Sequence, residues 1–68
     1  MTKEQKKQIE EKMYTINKMY WSNRNNEDGA FWMNRLGAFK ECLEIFVGEN
    51  LTEQLDDEAF LKVLESEE

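Results

Sequence analysis

Few side chains in this 68-residue sequence are suited to chemistry. There is no histidine, hence no group whose unperturbed pKa lies near neutrality for general acid-base work. The one cysteine, Cys42, is the only conventional nucleophile and rules out a disulfide within the chain; without histidine, a closed Cys/His zinc site is excluded too. Cys42 falls among apolar neighbours, far from any helix N-terminus that would lower its pKa, and is expected to be a buried small hydrophobe. Asp56, Asp57 and Glu58 could hold a hard cation such as magnesium. Adjacent helical residues point about 100° apart, however, which chelates poorly, so these acids are expected to sit in a helix's first turn and favour its dipole. The polar stretch SNRNNEDG (22 to 29) has the flavour of a calcium loop. Placing Gly29 at the sixth position of that template puts Arg24 first and Arg35 twelfth, where carboxylates are required, and the match fails. We therefore expect no enzyme, no cofactor and no metal site.

The elements that would carry these groups are helical. Thr2-Lys3-Glu4-Gln5 fits a capping box, and Ile9, Met13, Ile16 and Tyr20 follow at spacings of four, three and four, widened by Tyr14 and Trp21. A helix is expected over about 3 to 21, its Asn, Lys and Glu facing water. Residues 22 to 29 read as a loop, with Asp28 as N-cap of a second helix over about 29 to 47 and Gly48 ending it. A third segment, expected over about 52 to 65, has Asn50 or Thr52 as a first cap and Asp56 or Asp57 as a second start. Its apolar face would be Phe60, Leu61 and Leu64, with Leu51, Leu55 and Val63 beside it, and the ESEE tail should fray. The fold class is all-α, with residues 1 to 68 as one helical domain: an antiparallel hairpin plus a short C-terminal helix, the second helix being central.

The second helix is the unusual one. At about 100° per residue, its apolar side chains span an arc of roughly 200°, twice the stripe of a one-sided surface helix. The first helix can cover about half of it. Arg35 falls inside this arc. Its stem would pack on aromatics while the guanidinium snorkels out to water or pairs with an acid such as Glu10 or one in the C-terminal segment, or it would serve as an interface hot spot. Gly37, at the arc's edge, could admit a close neighbour. Tyr20, Trp21, Phe31 and Trp32 flank the loop and should gather at one end of the hairpin, as a core plug or as a cluster that grips a partner.

So short a chain needs a staple. With disulfide and zinc excluded, that is very regular packing, self-association or a partner protein. The net charge is −6, and residues 49 to 68 hold one lysine against eight acids, which disfavours direct nucleic-acid binding. No apolar run is long enough for a membrane, so a soluble, cytoplasmic protein is expected.

The pattern aromatic-Trp-x-x-Arg-Leu-x-Ala-Phe-x-x-x-Leu, carried by Phe31, Trp32, Arg35, Leu36, Ala38, Phe39 and Leu43, resembles the helical hairpins of small accessory proteins of phages and mobile elements. That resemblance implies a non-catalytic protein that binds another protein, often a host enzyme or defence component, and often as a dimer. The expected function is an interaction module, an inhibitor or adaptor, that self-associates as a dimer or higher oligomer through the second helix. Its contact set is Trp21, Phe31, Trp32, Arg35, Phe39 and Phe46. The alternative is an acidic decoy in which Glu53, Asp56, Asp57, Glu58 and Glu65, with Glu67 and Glu68, imitate a phosphate backbone and occupy a basic groove.

Overall fold

A computed structural model of the chain describes residues 1 to 66. Three helices follow one another, α1 (Lys3–Ser22), α2 (Asp28–Val47) and α3 (Glu49–Ser66). The expected tail is thus helical through Ser66, and Glu67 and Glu68 lie outside the described residues.

α1 begins as its sequence requires. The Gln5 N–H donates to Thr2 Oγ1 at 3.1 Å, and the Thr2 N–H donates to Gln5 Oε1 at 2.9 Å, closing the capping box. At the other end the Asn23 backbone N–H and side-chain amide both donate to Met19 O. The turn is then held by Asn26, whose amide donates to Asn23 Oδ1 at 3.0 Å and whose own Oδ1 accepts the Asp28 N–H at 2.8 Å. This corrects the expected start of α2. Asp28 lies inside the helix, the N-cap Glu27 makes no side-chain capping bond, and Asn26 supplies the capping oxygen.

Gly29 is buried here for a steric reason: a Cβ on it would sit 2.6 Å from Asn23 O, a backbone atom that cannot swing away. The other punctuating glycine is Gly48, at φ +86°, a conformation that L side chains rarely adopt. It alone separates α2 from α3.

α3 is longer than expected and starts earlier. Thr52 caps nothing; it is fully buried, and its hydroxyl donates to Gly48 O at 2.8 Å inside the first turn. Asp56, Asp57 and Glu58 therefore lie in mid-helix, where the first-turn dipole argument does not apply. The buried face is also rotated from the expected one. It consists of Thr52, Leu55, Ala59 and Val63, at spacings of three, four and four, while Leu61 points to solvent and Phe60 and Leu64 are half-buried. Small Thr and Ala side chains on that stripe let the helices come close.

α1, not α2, is the central helix: it packs against both others, and α2 meets α3 less extensively. Met13, Leu43, Leu55 and Ala59 form the buried core cluster, one residue each from α1 and α2 and two from α3, with Ile9, Tyr14, Leu36, Phe39, Val47 and Leu51 packed around it. Fully burying side chains of the Met and Leu class is worth about 1.5 to 3 kcal/mol each, which makes this the main source of stability. The molecule measures 35 × 25 × 18 Å. With helices about 10 Å across, an 18 Å dimension is two helices thick, so every helix keeps one face without a neighbour. Among the described residues no helix is long and apolar enough to cross a membrane.

One polar residue is buried inside α1, against the expectation that its asparagines face water. Asn17, 3% exposed, donates its amide to Met13 O at 3.0 Å and to Asp56 Oδ1 at 2.9 Å. Asp56 Oδ2 in turn accepts from Lys40 Nζ at 3.1 Å, and Lys40 pairs with Glu53 at 3.0 Å. A single network thus ties α1, α2 and α3 together. Burial works against the Lys40 charge, but the hydrogen bonds and negative charges of Glu53 and Asp56 outweigh it and raise its pKa. Every buried side-chain polar atom among the described residues has a partner. A satisfied polar network of this kind disfavours slipped helix registers, because any slip would strand Asn17 or Asp56.

Candidate interaction surface

α2 turns half of its apolar arc inward and leaves the other half in water. Trp32, Leu36, Phe39, Leu43 and Val47 face α1 and the core. Phe31, Ala38, Cys42, Ile45 and Phe46, with Arg35 among them, face outward. Phe31 is 55% exposed, Ile45 81% and Phe46 83%, far more than a side chain needs merely to border a core. Single exposed hydrophobes are ordinary; a contiguous stripe along one helix is the mark of an interface.

One expectation fails on this face. Cys42 is exposed rather than buried, because the core lies on the opposite side of its wheel position. Arg35 takes the snorkelling form of its expected placement: it is exposed, its guanidinium lies 5.9 Å from the Trp32 ring centroid, and it makes no ion pair with Glu10 or with an acid of α3. The space that Gly37 could offer a neighbour is open, with nothing within 4 Å of where its Cβ would be.

The stripe continues into a groove of about 500 Å³ between the N-terminal half of α1 and the C-terminal half of α2. Phe46 is shared by both, and Ile9, Phe39, Leu43 and Val47 line the floor, with Lys12 on the α1 side.

The expected contact set is divided by this geometry. Phe31, Arg35 and Phe46 stand on the open face, whereas Phe39 packs on the core and Trp32 is half-buried, meeting Phe31 edge to face at 5.1 Å. Trp21 belongs elsewhere. Its ring packs edge to face on Phe60 of α3 at 5.3 Å, with the Arg24 guanidinium 3.9 Å from its centroid. Three of the four rings around the turn, Trp21, Phe31 and Trp32, therefore divide between two ring contacts, where one core plug or one partner-gripping cluster was expected. Ala38, Cys42 and Ile45 were visible as part of the apolar arc but not as contact residues; their 38, 42, 45 spacing carries the signal.

The acidic side offers less. Glu53, Asp57, Glu58 and Glu65 are exposed, and Asp56 is partly buried. Ligand oxygens of Glu53, Asp56 and Asp57 lie within 4.8 Å of one another, but the Lys40 ammonium already sits on the first two. Compared with family models, curated proteins and solved structures, the chain matches none, and the likeness of its Phe31-to-Leu43 pattern to phage accessory proteins finds no counterpart there.

Proposed function

We propose that this chain is a non-catalytic protein-binding module, of inhibitor or adaptor type and acting in the cytoplasm, that self-associates through the open face of α2. The observation that supports it is the outward stripe of Phe31, Ala38, Cys42, Ile45 and Phe46, which no part of the described chain covers. Taking each large side chain fully out of water is worth about 1.5 to 3 kcal/mol, and a symmetric contact counts every one twice. The test is sedimentation at micromolar concentration. The wild type should be larger than 8.2 kDa, and Ile45→Ser with Phe46→Ser should restore the monomer while leaving helicity intact. A wild type at 8.2 kDa would overturn the proposal.

The acidic decoy is the rival reading, and it has less support. Two of its acids, Glu53 and Asp56, are committed to Lys40, and Asp56 is also committed to Asn17.

A further inference from the structure

The open stripe on α2 runs Phe31, Arg35, Ala38, Cys42, Ile45, at spacings of four, three, four and three. That is the seven-residue repeat of a helix-helix seam, sustained over 14 residues or about 21 Å. Its two ends match about Ala38, Cys42 stands opposite the polar Asn34, and the acid that mirrors Arg35 flanks the stripe. Seven residues to either side stand the large apolar Phe31 and Ile45. Three residues to either side stand Arg35 and Glu41, both exposed, and neither has an ion-pair partner among the described residues. The centre of the stripe is the small Ala38, where a second helix can approach closely.

Building on the self-association proposed above, we infer that the occupant of this face is a second copy of α2, antiparallel, about a two-fold axis that passes between the two helices at the level of Ala38. Under that symmetry a residue k positions before Ala38 faces one k positions after it. Arg35 then meets Glu41 of the second copy, and Glu41 meets its Arg35. Phe31 packs on Ile45 at each end. The parallel in-register alternative sets Arg35 against Arg35 inside the seam, a like-charge contact in a desolvated place. Overall charge does not oppose the pairing at this surface, since residues 29 to 48 carry two basic and two acidic side chains and the negative excess lies in residues 49 to 68.

Charge reversal tests this register. Arg35→Glu leaves acids at both positions 35 and 41, and Glu41→Arg leaves bases at both. Each variant alone should self-associate at least about tenfold more weakly than wild type, since both attractive pairs become repulsive. An equimolar mixture should recover the dimer, because acids on one copy now face bases on the other, and the double variant Arg35→Glu/Glu41→Arg should recover it alone. Circular dichroism confirms that each variant folds. Cys42 gives an independent check: antiparallel pairing separates the two sulfurs' helix positions by eight residues, about 12 Å, beyond the roughly 7 Å limit of a disulfide. If the wild type dimerises but both single variants do so equally well, or if oxidation links Cys42 across copies, this register is wrong while self-association through α2 stands. If the wild type is monomeric, both are wrong.

Discussion

The same substitution at two glycines of α2 should move stability in opposite directions. Both positions are helical, with φ outside the left-handed region, so replacing glycine by alanine removes backbone freedom from the unfolded chain and favours the helix by up to about 1 kcal/mol. At Gly37 nothing opposes that gain, because the space around its would-be Cβ is empty to 4 Å. Gly37→Ala should stabilise by roughly 0.5 to 1 kcal/mol. At Gly29 the new methyl would lie 2.6 Å from Asn23 O and 3.3 Å from Arg24 Cα. Relief requires moving a turn pinned by the Asn23 and Asn26 hydrogen bonds, and overpacking of this kind costs about 1 to 3 kcal/mol. Gly29→Ala should therefore destabilise by about 1 to 2 kcal/mol net. With a urea m-value of about 1 kcal/mol/M for so small a protein, the two midpoints should differ by about 2 M. Both variants must be measured at one protein concentration, since association adds to apparent stability. A Gly29→Ala midpoint at or above wild type would refute the assignment of the turn as a steric limit.

Three further outcomes follow from the network and the open face. Asn17→Ala strands Asp56 Oδ1 and opens space in the core, and should cost about 1 to 3 kcal/mol in urea unfolding, more than an exposed asparagine such as Asn34. Lys40→Met should cost about 1 kcal/mol at pH 7, a figure held low by the partial exposure of Lys40 and Glu53. Because the folded pKa of Lys40 is raised, that contribution is complete below the unfolded value of about 10.4 and is lost as pH rises through the folded value; the gap between wild type and Lys40→Met should be flat from pH 7 to about 9.5 and close above it. Cys42 should react stoichiometrically with a maleimide in dilute folded protein and become protected as concentration rises, whereas a buried thiol would be protected at every concentration.

Much of this fold was legible in the residues. The Thr2–Gln5 box and the Ile9, Met13, Ile16, Tyr20 spacing placed α1, and Gly48 marked the end of α2 where the chain does turn. The residues point to a later start for α3 because Asn50, Thr52 and Asp56 are good capping residues, and nothing local says that Thr52 instead bonds back to Gly48 O from a buried position. The rotation of its inner face has the same origin. Packing buries the narrow Thr52, Leu55, Ala59, Val63 stripe in place of the bulkier Phe60, Leu61, Leu64 one. Lys40 lies on the polar side of α2, and only the crossing of α3 brings Asp56 and Glu53 to it. Asn17 was more readable, since it stands four residues after Met13 on the inward side of α1. As for the candidate surface, the wheel showed that α2 has more apolar arc than one helix can cover. It could not show which half stays open, and that determines that Ala38, Cys42 and Ile45, rather than Phe39, face outward.

The open α2 face is the centre of the account, and sedimentation equilibrium of the wild type beside Ile45→Ser/Phe46→Ser tests it most directly. The wild type should fit a reversible association of 8.2 kDa chains at micromolar concentration, and the double variant a single folded species of that mass. A wild type that stays at 8.2 kDa, or a variant that associates as strongly as the wild type, would contradict it.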